Sequence, residues 1–296
     1  MRIEVLFPVG RIELRAEGRV SCATMLQRRI HDNGVVTYGS PLLSAVGVVH
    51  AFSTRLGGLS EGPFASLNLG VAAGVEQRDS DSNISENHKR WFDALGCADR
   101  TLARVHQVHG NDVITCGQGA GVGDLPGRDV QADALVTRDR SVAVTVRVAD
   151  CVPVLMSTSD GRCVGAAHAG WRGVVGGVVV NTLHRLLELS GGAGARDVVV
   201  AIGPSIGADA FEVGAEVVTE FTRAFTTHAK LIRPRTTGKA TIDLRAALMD
   251  QLIEAGVPGA QIESTDRCTF THADEFFSHR RDRGLTGRMA ALVTPR

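Results

Sequence analysis

We expect an α/β fold in which a mixed β-sheet core is flanked by helices in a layered sandwich, rather than a Rossmann fold. The chain has 296 residues, of which 44% are hydrophobic but only 4% are aromatic. Its core must therefore consist mainly of Val, Leu, Ile and Ala, which suits sheets covered by helices. Strand and helix patterns are interleaved along the chain without a strict βαβ rhythm, which argues against a doubly wound parallel sheet.

The strand patterns are short apolar or alternating runs bounded by turn residues. In chain order they cover 48–55, 101–110, 132–137, 141–148, 151–158, 162–170, 197–203 and 288–294. The helix patterns show apolar residues at helical spacing. They cover 80–95, 171–189, 208–226 and 243–255. Ser80 and Asp243 are candidate N-caps, and Gly96 is typical of a helix end.

The chain shows neither an internal repeat nor a low-complexity linker that would divide it. Residues 1–46 are weakly patterned, and we expect them to form an N-terminal arm or hairpin. Residues 47–296 are expected to form a single catalytic domain, which is long but within range for a large α/β fold.

Charge and cysteine usage exclude several classes of protein. The chain carries 32 basic and 32 acidic residues, so it has no electrostatic footprint for a nucleic acid or a membrane surface. Its six cysteines are few for this length and include no CxxC pair, which argues against a disulfide scaffold. The first twenty residues lack the apolar core of a signal peptide, and no run of 18 apolar residues occurs. We therefore expect a cytoplasmic monomer whose thiols are free for metal binding or catalysis.

Three segments place chemically capable side chains where predicted strands end. They read VHQVHG (105–110), VADCVP (148–153) and AHAGWRG (167–173). Because side chains alternate between the two faces of a strand, only one of His106 and His109 should face a given site. The glycines that flank Trp171 and Arg172 allow a tight turn and a close approach of the backbone.

Three interpretations fit these segments: a metal site, a nucleophilic cysteine, and a purely structural group of side chains. Two histidines and a cysteine suit zinc, and three protein ligands leave a fourth position open, as in catalytic sites. Alternatively, Cys151 is a nucleophile, with His168 or His109 as its base and Asp150 as the residue that orients the base. A buried thiol beside two hydrogen-bonded histidines would also fit the spacing.

Eight motifs in order give the sequence a resemblance to a known family. They are FSTRLGGLS (52–60), SLNLG (66–70), QVHG (107–110), ADC (149–151), HAGWRG (168–173), GPSIG (203–207), FEVG (211–214) and FFSHRRDRGLTGR (276–288). From about Val48 to the C-terminus the chain resembles the bacterial polyphenol oxidoreductase (laccase-like) proteins, regarded as multifunctional purine nucleoside phosphorylases and related to vertebrate laccase domain-containing proteins. Where members of that family often carry cysteines after the GP turn, this chain has Asp209 and Ala210.

The resemblance implies that the metal ligands are His109, Cys151 and His168, with zinc as the metal and copper as a possible substitute. It implies purine nucleosides and phosphate as substrates. The reactions are phosphorolysis of adenosine, inosine and methylthioadenosine to base and pentose 1-phosphate, and deamination of adenosine.

Phosphorolysis also needs groups that hold phosphate and help the base to leave. Arg55, Asn68 and Arg172 are the candidate substrate- and phosphate-binding residues, since guanidinium groups and nearby backbone N–H groups bind anions. Asp150 or Cys151 could manage the proton on the leaving base.

Two other activities remain alternatives to the phosphorylase. A Cys-His-Asp set could support a cysteine hydrolase or an editing enzyme that acts on cell-wall precursors. A copper polyphenol oxidase would need further histidines in tight motifs, and no HxH pair occurs. We interpret His106 as a hydrogen-bonded neighbour of the site, and Cys268, His272 and His279 as structural.

Overall fold

The computed structural model describes residues 25–71, 76–117, 129–235 and 238–296. Within these ranges the strands, numbered in chain order, are β1 (Gln27–Ile30), β2 (Val36–Gly39), β3 (Val49–Ser53), β4 (Thr101–Ala103), β5 (Val113–Cys116), β6 (Ala134–Thr137), β7 (Val142–Val148), β8 (Val152–Thr158), β9 (Val164–Ala169), β10 (Val198–Ile202), β11 (Glu212–Val213), β12 (Ile232–Pro234), β13 (Ala240–Ile242), β14 (Ile262–Glu263) and β15 (Met289–Thr294). The α-helices are α1 (Pro41–Ala45), α2 (Asp81–Leu95), α3 (Trp171–Val175), α4 (Val178–Ser190), α5 (Ala215–Ala224), α6 (His228–Leu231) and α7 (Leu244–Glu254).

The strands form two six-stranded sheets and one small sheet. The first sheet has the order β1-β2-β3-β15-β7-β4, the second β14-β10-β8-β9-β6-β5, and the third β11-β13-β12. Both large sheets are mixed, because β4 is parallel to β7, β5 to β6 and β10 to β14, whereas their other pairs are antiparallel. The predicted α/β fold with mixed sheets and flanking helices is confirmed.

Alternation along the strands explains the layers. In β15, Met289, Ala291 and Val293 enter the core between the two large sheets, whereas Ala290 and Leu292 face the opposite side and join a cluster that contains α2 residues. Strands of the second sheet divide in the same way, and their other face packs against α3, α4 and α7. The result is a four-layer arrangement in the order α2, first sheet, second sheet, and the helices α3, α4 and α7.

Several helix ends follow the sequence signals. The Ser80 side chain accepts the N–H of Asn83 at the start of α2, and Gly96 ends this helix with a φ of 64°. Asp243 caps α7 through the N–H of Ala246. Both capping predictions are confirmed, and their physical basis is that the first N–H groups of a helix lack partners within it.

Three predicted elements differ from the structure. The pattern at 171–189 is two helices, because the chain breaks at Gly176 and Gly177, the latter with a φ of 75°. The strand predicted over 101–110 ends at Ala103. The helix predicted from 208 begins only at Ala215, after a turn and the two residues of β11.

The segment before residue 47 contributes a hairpin to the first sheet. β1 and β2 pair as antiparallel neighbours, and β2 continues the sheet by pairing with β3. Residues 1–24, which the arm prediction also covers, lie outside the described residues. None of the described helices has the length and apolar character that crossing a membrane requires.

Candidate metal centre and adjoining cavities

The candidate site lies at one end of the second large sheet. Cys151 directly precedes β8, and His168 is in β9, opposite Pro153 of β8. His109 lies in the loop between β4 and β5. The β8–β9 hairpin therefore fixes the cysteine and one histidine, and the loop brings the second histidine to them.

These three side chains converge. Their potential ligand atoms all lie within 4.8 Å of one another, and the two imidazole rings meet edge to face with centroids 4.9 Å apart. His168 is buried, Cys151 is half-buried and His109 is exposed. The site is thus anchored in the protein on one side and open on the other.

Asp133 is the central supporting residue, and our sequence analysis did not identify it. It directly precedes β6, which pairs with β9, and its side chain is fully buried. Its Oδ1 lies 2.7 Å from Nδ1 of His168. A carboxylate on one ring nitrogen fixes the tautomer and leaves Nε2 as the lone-pair donor, a common arrangement at metal sites.

The same carboxylate holds the loop that carries His109. It accepts the backbone N–H groups of Val108, His109 and Gly110 at 3.1, 3.0 and 2.7 Å. His109 has a φ of 62°, a conformation that non-glycine residues adopt at a cost unless their surroundings hold it. Asp133 therefore connects both histidines, one through its ring and the other through its backbone.

Two glycines of the HAGWRG segment leave room for this convergence. A Cβ on Gly170 would lie 2.8 Å from Cδ2 of His109 and 3.2 Å from Sγ of Cys151. A Cβ on Gly173 would lie 2.9 Å from the carbonyl oxygen of Gly110. The close backbone approach predicted from these glycines is the reason that the loop and the strand can meet.

Asp150 is held rigidly beside Cys151. Its φ is 92°, and its carboxylate accepts the hydroxyl of Thr269 and the backbone N–H of Arg280, both at 2.7 Å. Its backbone carbonyl accepts the N–H of Ile206 at 2.9 Å. The carboxylate therefore faces the C-terminal segment, and it is Asp133 rather than Asp150 that contacts a histidine.

The electrostatics favour a thiolate at this site. Burial raises the pKa of the Cys151 thiol, but the positive charge of His168 and hydrogen bonds from both histidines outweigh burial and lower it to about 6. Burial lowers the pKa of His168, whereas the Cys151 thiolate and Asp133 raise it to about 9. A divalent cation would replace the imidazolium proton, because metal ligands must be deprotonated.

The residues fit a zinc ion by their donor chemistry. One thiolate and two imidazoles are zinc's preferred donors, and ligand atoms about 2.0–2.3 Å from a tetrahedral zinc lie roughly 3.3–3.7 Å apart. The spread of 4.8 Å or less needs only a small closure. In the part of the chain that the structure describes, this is the one group of three or more His, Cys, Asp or Glu side chains with such geometry.

Two cavities meet at the triad. The smaller, of about 350 Å³, is lined largely by apolar side chains, including Trp171, Ile206, Phe211 and Leu244, with Arg172 at its wall. The larger, of about 710 Å³, is rich in cationic side chains, among them Arg104, Arg147, Arg280 and Arg288, and His279 also lines it. His109, Asp150 and Cys151 line both cavities.

The structure separates the three residues predicted to bind phosphate. Arg172 lines the smaller cavity, where its guanidinium lies 4.2 Å from the centroid of the Trp171 ring. Asn68 is buried and donates to Asp79. Its Oδ1 accepts the N–H groups of Gly70 and Arg288, so it supports the larger cavity from behind.

Arg55 is not brought to the site. Its guanidinium donates to the carbonyl oxygens of Ala65 and Ala273 at 2.7 and 3.0 Å and lies 4.6 Å from the centroid of the Phe277 ring. It lines neither of the two cavities. Its role in these contacts is to connect the 55–66 loop to the C-terminal segment.

The remaining candidates divide between the cavity wall and the scaffold. His106 is exposed, pairs through its backbone with Val130 and Ala132, and lines the larger cavity, as does His279. Cys268 accepts the N–H of Gly207 through its sulfur at 3.1 Å, and His272 bonds to the backbone of Cys268. The structure thus places His279 at the cavity although the sequence predicted a structural role.

The chain is similar to known proteins over most of its length. Residues 49–296 match the family model described as "Multi-copper polyphenol oxidoreductase laccase". A purine nucleoside phosphorylase of Deinococcus radiodurans is 38% identical over 86% of this chain and 93% of its own. The purine nucleoside phosphorylase YfiH of Escherichia coli is 37% identical over 83% of this chain and 93% of its own.

The fold is also that of a solved relative. The crystal structure of YlmD from Geobacillus stearothermophilus superposes with a TM-score of 0.79 at 34% identity, covering 92% of this chain and 99% of that one. The family match, the identities and the fold agree, and the chain therefore belongs to the polyphenol oxidoreductase (laccase-like) family whose relatives are named purine nucleoside phosphorylases.

Proposed function

We propose that this protein is a zinc-dependent purine nucleoside phosphorylase with adenosine deaminase activity. Its substrates are adenosine, inosine and methylthioadenosine together with phosphate, and its products are the free base and a pentose 1-phosphate. The observation that carries the proposal is the convergence of His109, Cys151 and His168 where an apolar cavity meets a cationic one. The names of the relatives support the purine nucleoside phosphorylase part of the proposal.

His109, Cys151 and His168 would hold the metal, and Asp133 orients the two histidines. When bound, zinc supplies Lewis-acid chemistry and lowers the pKa of water towards neutrality, which suits deamination. His168 is rigid because Asp133 fixes its ring, whereas exposed His109 lies on the substrate side. Copper could occupy the same ligands, since it also accepts imidazole and thiolate.

The chain's own residues account for binding and proton handling. The planar side chains of Trp171 and Phe211 and the aliphatic Ile206 give the smaller cavity the apolar walls that a purine ring needs. Asp150, at the junction of the two cavities, is our candidate for the group that holds or moves the proton of the leaving base. Arg172, with its guanidinium over Trp171, is our candidate for contacting the substrate at that wall.

A second candidate function is cysteine hydrolysis, for example on cell-wall precursors. It is favoured by the lowered pKa of Cys151 beside a histidine whose other nitrogen contacts a buried carboxylate, which is the geometry of an activated thiol nucleophile. Alkylation distinguishes the two functions. If Cys151 is a zinc ligand, iodoacetamide labels it only after zinc is removed, whereas a nucleophile reacts equally in both states.

The family's description as multi-copper polyphenol oxidoreductases suggests a third candidate, a copper phenol oxidase. Such an enzyme needs several copper ligands beyond one His-Cys-His group, and the described residues contain one group of that kind. Oxidase turnover that disappears when loosely bound copper is removed would count against this function.

The reaction itself tests the proposal. Zinc-loaded protein incubated with inosine and phosphate should release hypoxanthine and ribose 1-phosphate, and Cys151→Ala should abolish both products and zinc binding. Cys163→Ala is the matched control, because Cys163 is a buried free cysteine at the other end of the same hairpin. Absence of hypoxanthine with the zinc-loaded wild type refutes the proposed function.

We further propose that the enzyme works as a cytoplasmic monomer without a nucleic-acid partner. The free state of the five described cysteines supports a reducing compartment, since a thiolate ligand must remain reduced.

A further inference from the structure

The larger cavity contains two arginines whose backbones are held by residues of otherwise unexplained motifs. Arg147 belongs to β7, and Arg288 directly precedes β15, its neighbour in the first sheet. Both line the cavity that also contains Cys151 and His168. The sequence analysis did not select Arg147, and it included Arg288 only as the last residue of the 276–288 motif.

The QVHG and SLNLG motifs position these two arginines. Gln107 donates to the carbonyl oxygen of Arg147 at 2.8 Å and accepts its N–H at 2.9 Å, so it fixes the backbone of β7 at Arg147 through both polar groups of that residue. Asn68 accepts the backbone N–H of Arg288 at 2.8 Å. Each amide thus supports one arginine, and Gln107 does so from the loop that also presents His109.

Gly70 lets the two side chains pack side by side. A Cβ at this position would lie 2.8 Å from Cδ of Arg147 and 3.4 Å from Cβ of Arg288. Asn68 also accepts the N–H of Gly70 at 3.2 Å, so the same amide places the glycine and one arginine. The SLNLG and TGR motifs therefore bring two guanidinium groups into one wall.

We propose that Arg147 and Arg288 form the subsite for a phosphate group in the larger cavity. Paired guanidinium groups bind phosphate oxygens through charge-assisted hydrogen bonds, and the neighbouring Arg280 and Arg104 extend the positive wall. This inference rests on the proposed function and assigns inorganic phosphate to the cationic cavity and the purine to the apolar one. The ribose then spans the junction beside Asp150.

Phosphorolysis with phosphate and base in these two cavities breaks one bond at C1′ of the ribose and forms another. A phosphate oxygen held by the two arginines forms the new bond to C1′ of the ribose while the bond from C1′ to the purine nitrogen breaks. The electron pair of that bond leaves with the purine, and the proton lost by phosphate ends on the purine nitrogen. The phosphate and the base must therefore lie on opposite sides of C1′, and the proposal assigns them to two cavities that share His109, Asp150 and Cys151 as lining residues.

Steady-state kinetics of inosine cleavage at varied phosphate test the subsite. In Arg288→Gln and Arg147→Gln the KM for phosphate should rise on the order of 10–100-fold, while the KM for inosine changes less than about twofold. Gly70→Ala should raise the phosphate KM in the same direction by displacing Arg147. Arg162→Gln is the matched control, because this arginine is exposed in the β8–β9 turn, and its phosphate KM should equal that of the wild type.

The zinc content and the urea unfolding midpoint show whether each variant is folded. Arg288→Lys provides a second test, because lysine keeps the positive charge but lacks the planar guanidinium fork. An unchanged phosphate KM in folded Arg147→Gln and Arg288→Gln overturns the proposal. If the arginines bind a 5′-phosphate carried by the substrate, the wild type will turn over inosine 5′-phosphate better than inosine, and the variants will lose only that preference. That outcome also overturns it.

Calorimetric titration with inorganic phosphate separates this inference from the proposed function. If the wild type cleaves no inosine but binds phosphate, and both arginine variants bind it at least tenfold more weakly, the subsite stands while the phosphorylase function fails. If the wild type cleaves inosine but the variants bind phosphate as the wild type does, the function stands and the subsite fails.

Discussion

Replacing Asp133 by asparagine tests the support of the metal site without touching a ligand. The carboxylate accepts four hydrogen bonds, from Nδ1 of His168 and from the backbone N–H groups of Val108, His109 and Gly110. An asparagine has only one oxygen to offer. If this oxygen keeps its hydrogen bonds to Val108 and Gly110, the amide NH₂ group faces His109 N–H and the His168 ring. Both of these groups need a hydrogen-bond acceptor, which the NH₂ group is not.

The expected consequence is a change of tautomer at His168. The amide NH₂ would donate to Nδ1, so the ring proton moves to Nε2, which then cannot bind a metal. Loss of such a supporting contact typically weakens metal binding about 10–100-fold, or about 1.4–2.7 kcal/mol. The lost hydrogen bond between the carboxylate and His109 should lower the free energy of unfolding by about 1.5–3 kcal/mol.

Competition with a fluorescent zinc chelator measures the affinity, and urea unfolding measures the stability. Asp160→Asn is the matched control, because Asp160 accepts hydrogen bonds from Thr158 and Arg162 in the turn at the opposite end of the β8–β9 hairpin. The control should keep the zinc affinity of the wild type. If Asp133→Asn binds zinc as tightly as the wild type does, the role assigned to this carboxylate is refuted.

Three further substitutions give distinct expectations. Gly170→Ala should weaken zinc binding in the chelator assay, because the added Cβ would lie 2.8 Å from the His109 ring; unchanged affinity would contradict the packing argument. Burial raises the pKa of Asp79, but four hydrogen bonds outweigh it and lower the pKa. Since the pKa is lowered on folding, this carboxylate contributes stability above its ordinary value near 4 and loses that contribution as the pH falls through the folded value. The stability difference between the wild type and Asp79→Asn in urea should therefore shrink below about pH 4, and a pH-independent difference would refute this. Leu155→Ala, between the two sheets, should cost about 2–5 kcal/mol of unfolding free energy; a loss under about 1 kcal/mol would show that the site collapses without a cavity.

Local signals in the sequence predicted much of the fold. The cap at Ser80 and the glycine at position 96 defined α2, the alternation in 141–148 defined β7, and the apolar run in 288–294 defined β15. These elements were predictable because capping and face alternation depend on neighbouring residues. The pairing of β15 between β3 and β7 depends on residues far apart in sequence, and no local pattern contains it.

Part of the site could also be predicted from the sequence. The family motifs pointed to His109, Cys151 and His168, which the structure brings together. Asp133 was missed because it precedes an ordinary buried strand, and only the pairing of β6 with β9 places it at His168. A fully buried carboxylate at the start of an apolar strand needs partners, and the aspartate before ALVT at 134–137 was the available signal.

Arg55, Arg147 and Arg288 show how local sequence patterns and spatial position can differ. An arginine beside two glycines is typical of an anion site, but Arg55 donates to the carbonyl oxygens of Ala65 and Ala273 and lines neither of the two cavities. Arg147 carried no local signal because it lies in a strand, and Arg288 appeared only as the last residue of the 276–288 motif. Only the adjacency of β7 and β15 brings them together.

X-ray absorption at the zinc edge tests the central claim most directly, because it reports which atoms surround the metal in the purified protein. We predict one sulfur at about 2.3 Å and two imidazole nitrogens at about 2.0–2.1 Å, with the sulfur signal lost in Cys151→Ala and kept in Cys163→Ala. A stoichiometric zinc without sulfur in its coordination shell, or a protein that binds no zinc when it is supplied, would contradict the account.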